Sequence, residues 1–110
     1  MKSNYDLYGF SSSDISHLAA ILSRALSIEW ILHESDFKGK YYRFGMPGEE
    51  EFILQYNFDE RENEKEWNEP EFKQYPVVLY INNTQRSEEI RKLLIDVMRD
   101  TVVQLRSDML

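Results

Sequence analysis

From Ile15 to Leu26 the apolar residues Ile15, Leu18, Ala19, Leu22, Ala25 and Leu26 return every three or four positions. That is the period of a helix with one buried face, and it predicts a helix from about Ser13 to Ser27. Ser11-Ser12-Ser13 lies just ahead, where a serine can accept from the free amides of a first turn, and Asp14 suits the positive end of the dipole. Tyr5 to Phe10 alternates aromatic and small residues and is expected as a short first strand. After the helix, Ile28, Trp30 and Leu32 alternate with Glu29, Ile31 and His33, as in a strand with one apolar face. Tyr41 to Phe44 and Phe52 to Asn57 are two further strand-prone runs. Asp36-Phe37-Lys38-Gly39-Lys40 and Gly45-Met46-Pro47-Gly48 separate the three as turns, which predicts an antiparallel meander.

Pro76 opens the run Val77-Val78-Leu79-Tyr80-Ile81, apolar on both faces and so expected in the centre of a sheet. Asn82-Asn83-Thr84 reads as a turn. Ser87 is placed to cap a final helix with Glu88 and Glu89 in its first turn. Ile90, Leu93, Leu94, Val97, Met98 and Leu105 form its buried stripe, and Ser107 to Leu110 are expected to fray. The sum is one α+β domain over residues 1–110. It has a single mainly antiparallel sheet of about four to five strands, with two helices packed on one face.

Between the third strand and the central one the chain changes character. Asp59, Glu60, Glu62, Glu64, Glu66, Glu69 and Glu71 face only two cations, Arg61 and Lys65. Seven negative charges less two positive leave this stretch with −5 of the chain's net −7. Asn68 and Pro70 oppose a long helix, so a solvated loop is expected. Trp67 stands among these carboxylates. A tryptophan is costly to leave in water, so it folds back on the core or anchors a partner, since buried aromatics within a polar rim form the centre of tight interfaces. Asp59, Glu60, Glu62, Glu64, Glu66, Trp67, Glu69 and Glu71 are therefore the candidate partner-binding residues.

Composition narrows the classes of function. The 110 residues contain no cysteine, which removes disulfides, thiolate metal sites and cysteine nucleophiles. A domain of this size without disulfides points to a reducing cytoplasm. No apolar run approaches the roughly 20 residues of a membrane span, and the amino-terminal sequence lacks the apolar run of a signal peptide. A net charge of −7 disfavours nucleic acid and anionic membranes and favours a basic protein.

Candidate chemistry is sparse. His17 falls between apolar helix positions and reads as a partly buried or rim residue. His33 could share a strand face with Ser35, but no oxyanion hole or nucleophile elbow accompanies them. No catalytic residue is expected, and the chain reads as a non-enzyme; a small hydrolase using His33 or His17 is the alternative. The acidic stretch lacks the glycine and the ligand spacing of a calcium loop, so no metal is expected. The glycines at 9, 39, 45 and 48 form no phosphate loop, and no cofactor is expected. Only Lys38, Lys40 and Arg43 flank the Tyr41-Tyr42-Phe44 cluster, too few cations for a single-strand nucleic-acid platform.

Several segments taken together resemble a known group. They are Glu34-Ser35, Gly39-Lys40-Tyr41-Tyr42-Arg43, Ile53-Leu54-Gln55-Tyr56-Asn57, the acidic stretch with Trp67 and Pro70, and Tyr75-Pro76-Val77-Val78-Leu79-Tyr80. In this order they look like small bacterial immunity proteins of contact-dependent growth inhibition and related polymorphic toxin systems, over roughly residues 28 to 95. The resemblance implies a cytoplasmic protein that binds its cognate toxin domain and occludes the active site. Many such toxins are nucleases with basic clefts, suited to an acidic inhibitor. A secretion-system adaptor or chaperone is a further alternative. Monomer and homodimer both remain open, because the last helix's apolar stripe serves either a core or an interface.

Overall fold

The structure is a computed structural model that describes residues 2–61 and 64–110. In chain order its elements are β1 (Asn4–Phe10), α1 (Ile15–Leu26), β2 (Ile31–Ser35), β3 (Gly39–Phe44), β4 (Glu51–Tyr56), β5 (Phe58–Arg61), β6 (Glu64–Trp67), a 3-10 turn (Pro70–Phe72), β7 (Val77–Thr84), α2 (Ser87–Met98) and β8 (Val102–Met109). Six strands form the main sheet in the order β2-β3-β4-β7-β1-β8, and β5 and β6 form a separate hairpin. Every pairing is antiparallel. The fold is α+β with two helices, as expected, but the sheet is wider than the four to five strands anticipated.

Strand alternation decides the core. Tyr8 and Phe10 of β1, Leu79 and Ile81 of β7, and Phe52 and Leu54 of β4 lie side by side by register on one face. These residues join Ile15, Leu18 and Leu22 of α1 and Ile90, Leu94 and Met98 of α2 in one buried cluster. Each fully buried Leu, Ile or Phe contributes about 1.5–3 kcal/mol over its exposed state. β7 sits between β4 and β1, and Val77, Val78 and Leu79 are all buried, which is why that run is apolar on both faces.

Several expectations need correction. The cap of α1 is Asp14, not a serine: its Oδ1 accepts from the His17 N–H at 3.1 Å. The second strand starts only at Ile31. Trp30 turns back on α1, donating through Nε1 to the Ala19 carbonyl at 2.9 Å, and Leu32 is exposed rather than part of an apolar face. Asn82 and Thr84 belong to β7, with Asn83 in the left-handed region (φ 58°). Ser87 does not cap α2; the cap position is Arg86. The Ser87 hydroxyl instead donates to the buried Asp6 carboxylate at 2.6 Å, and Ser107 donates to its other oxygen at 2.5 Å. One buried carboxylate thus ties β1 to the start of α2 and to β8.

The largest correction is at the end of the chain. α2 stops at Met98, and residues 102–109 form β8 instead of continuing the helix or fraying. Val102-Val103 is β-branched and pairs with Phe10 and Gly9 of β1. Among the described residues, no helix is long and apolar enough to cross a membrane.

Candidate functional site

The acidic stretch is not a solvated loop. β5 and β6 pair with Phe58 opposite Trp67, Asp59 opposite Glu66, Glu60 opposite Lys65 and Arg61 opposite Glu64. Glu60 and Lys65 are opposite in sign, which offsets part of the charge that makes the segment look unstructured in sequence, whereas Asp59 and Glu66 are alike. Phe58 packs on Tyr56 at 5.7 Å and meets the Trp67 ring edge-on at 5.7 Å. The Lys65 ammonium sits 4.4 Å from the Phe58 centroid, and Lys73 lies 5.7 Å from that of Trp67. Trp67 is half-buried at the base of the hairpin, packed on Phe58.

Asn57 holds the excursion to the sheet. It is fully buried. Its Oδ1 accepts from the Glu69 N–H at 2.9 Å, while Nδ2 donates to the carbonyls of Phe72 (2.9 Å) and Glu69 (3.4 Å). Its own N–H donates to Pro76 at 2.9 Å, and its carbonyl accepts from Asn68 at 2.9 Å. One asparagine thus supplies both ends of the segment with backbone partners that a buried chain needs. On the other side, the Glu60 N–H donates to the Phe37 carbonyl at 2.9 Å, and the Lys38 ammonium lies 3.3 Å from Asp59. A cleft of about 290 Å³ lined by Asp36, Phe37, Lys38, Gly39, Tyr56, Phe58 and Glu60 marks this junction of hairpin and β2–β3 turn.

The predicted partner-binding residues divide accordingly. Asp59 is buried, held by Lys38 and by Asn68 Nδ2 at 3.3 Å. Glu69 accepts from the Tyr80 hydroxyl at 2.6 Å and from Arg106 at 3.0 Å. Both are fastened to other side chains within the fold. Glu60, Glu64, Glu66 and Glu71 are exposed. Glu62 lies outside the described residues. Burial opposes ionisation of Glu69, but the bonds from Arg106 and Tyr80 outweigh it and hold its carboxyl below the ordinary range. Burial, reinforced by Glu69, pushes the Tyr80 phenol well above its usual value. Sequence reasoning missed Asn57, Tyr80 and Arg106, because a lone asparagine or tyrosine at a strand position carries no periodic signal.

The histidines do not converge. His17 is exposed on α1, not partly buried. His33 stacks on its cross-strand neighbour Tyr41 at 5.0 Å, on the sheet face away from the helices. The Ser35 hydroxyl is engaged by the Lys38 N–H at 2.8 Å, closing the β2–β3 turn. Among the described residues, no three His, Asp or Glu side chains are grouped so as to hold a metal ion. Elsewhere, Glu50 receives a forked ion pair from Arg86 (2.8 and 3.0 Å) at a cleft of about 450 Å³. The hydrogen bond from Arg86 outweighs burial and depresses the Glu50 carboxyl.

No family model matches the chain, and no curated protein matches it.

Proposed function

We propose that the chain is an immunity protein that binds a cognate antibacterial toxin domain in the cytoplasm and blocks its active site. The observation that carries this is the acidic hairpin. It is fastened through Asn57 and Glu69, yet leaves Glu60, Glu64 and Glu66 exposed. A pre-ordered array of carboxylates loses little entropy on docking and steers a basic partner by charge. The partner best suited is a nuclease, whose phosphate-binding lysines and arginines would pair with these carboxylates. The mechanism is occlusion, so inhibition is stoichiometric and needs no catalytic residue. Binding and growth rescue test it: a variant with Glu60→Lys, Glu64→Lys and Glu66→Lys associates more slowly with the toxin at low salt and protects less well. An on-rate unchanged by the three reversals removes the hairpin from the interface.

A further inference from the structure

The main sheet has a second face, turned away from the helices, and its two halves differ. Leu7 and Gly9 of β1 and Val78 of β7 alternate with the core residues and so point to it. All three are buried. The segment 69–76 covers them. The Tyr75 ring lies against Gly9, and Glu69 accepts from Tyr80 and Arg106. On β2, β3 and β4 the same face carries Ile31, Arg43 and Ile53 in one cross-strand row, and His33 and Tyr41 in the next. This half stays open. Ile31 is 64% exposed, and His33, Tyr41 and Ile53 are half-buried. Arg43 adds no net charge to it, because its guanidinium is bound to the buried Glu51 carboxylate, which also accepts from Asn82.

The hairpin borders the open half with charge. β5 runs on from β4 with only Asn57 between them. Alternation therefore carries the open face from Ile53 through Asn57 to Asp59, while the Tyr56 and Phe58 rings pack together on the opposite side. Glu66 stands opposite Asp59, and Glu64 is two residues from Glu66, so both share that face, and both are exposed. The hairpin leans on the β2–β3 turn, where the Glu60 N–H meets the Phe37 carbonyl and Lys38 holds Asp59. His33 and Tyr41 stand two residues from that turn on either strand. Exposed carboxylates speed encounter but add little to the lifetime of a complex. The lifetime comes from apolar and aromatic side chains at the centre of an interface, with charge at its border.

We propose that the open half of this face is the centre of the docking surface for the basic toxin domain. Ile31, Tyr41 and Ile53 meet an apolar patch of the partner, and Glu64 and Glu66 meet lysines or arginines on the border of that patch. The inference rests on the immunity reading and deepens it, since it names where the binding energy lies and what the toxin surface must carry. Charge selects this occupant over a second copy of the chain, which would bring a net −7 against the same carboxylates.

Binding kinetics of the full chain with the toxin-like domain encoded beside this gene test it, using neutral substitutions that leave the charge alone. Ile31→Ser and Tyr41→Ala are each expected to raise the dissociation rate by about tenfold or more, at low and at high salt alike. Leu32→Ser is the control. Leu32 is the next residue on the same strand and is 50% exposed, but it points to the helix side, so its loss changes the rate by less than about threefold. Circular dichroism checks the fold of each variant, and Ile31 is exposed enough for the serine to be tolerated. A wild-type complex indifferent to Ile31→Ser and Tyr41→Ala overturns this surface and leaves the immunity reading standing. So does an equal loss in Leu32→Ser. No complex with the wild-type chain overturns both. A dimer of the chain alone in sedimentation equilibrium, dissociated by Ile31→Ser, overturns the proposal by giving the face to a second copy.

Discussion

The Asn57 side chain grips the Glu69 peptide from both sides, accepting from its N–H at 2.9 Å and donating to its carbonyl at 3.4 Å. Eleven residues of chain lie between them, and they include the whole acidic hairpin. The placement of Glu60, Glu64 and Glu66 therefore depends on a residue that is itself fully buried.

Replacing Asn57 by Ala strands the part-buried N–H of Glu69, while the Phe72 carbonyl keeps its bond from the Tyr75 N–H. Such an orphan costs about 1–3 kcal/mol, which is the expected loss of stability. Asn57→Asp keeps the acceptor but not the donor and is expected to fall between wild type and Asn57→Ala. Urea unfolding followed by circular dichroism measures both. Hydrogen exchange in β5 and β6 should rise before exchange in β7 does.

Gly9 permits a close crossing. A Cβ there would come within 2.7 Å of the Tyr75 ring and 2.8 Å of Leu105. Gly9→Ala is expected to destabilise by about 1–3 kcal/mol, the range for overpacking, in the same unfolding assay. Loss of that contact frees the 69–76 segment from the sheet face, so protection of the hairpin from proteolysis should fall with it.

Tyr8 is buried, and its hydroxyl has no hydrogen-bond partner among the described residues. Burial, with Asp6 adding to it, pushes the phenol well above its ordinary range. Tyr8→Phe keeps the ring and removes the orphan, so the stability should rise by about 1 kcal/mol. A fall of that size would mean that the hydroxyl has a partner.

Glu69 and Glu50 have carboxyls depressed in the fold relative to the unfolded chain. The unfolded chain therefore binds protons first as pH falls. The stabilisation from both is fully present above the unfolded carboxyl value, about pH 4.3, and is lost as pH falls through the lower folded values. In Glu69→Gln the slope of stability against pH below that point should be shallower than in wild type. An unaltered slope would mean that the Arg106 and Tyr80 bonds do not favour the ionised form.

The parts of the fold visible in sequence are those in which one residue after another repeats the same environment. α1 shows its 3.6 period from Ile15 to Leu26 because every fourth side chain enters the core. The β2-β3-β4 meander shows through its turns, and Gly39, Gly45 and Gly48 all take positive φ there. β8 was hidden because Leu105 stands seven residues after Met98, which suits a helix as well as a strand, and no glycine or proline marks the end of α2. The hairpin was hidden by its own charge. Its alternation of Phe58 and Trp67 with carboxylates becomes readable only once Lys65 and Glu60 are known to face each other. The candidate site was half legible: the acidic segment stands out in composition, but the internal roles of Asp59 and Glu69 depend on Lys38, Tyr80 and Arg106, which are distant in sequence.

The most direct test of the central claim is growth of bacteria that express the toxin-like domain encoded beside this gene, with and without this chain. The account predicts that the wild-type chain rescues growth and forms a stoichiometric complex on a sizing column. The Glu60→Lys, Glu64→Lys, Glu66→Lys variant, folded by circular dichroism, should rescue poorly. Absence of both rescue and complex with the wild-type chain would contradict the immunity function itself, whereas full rescue by the variant would contradict only the hairpin as its docking surface.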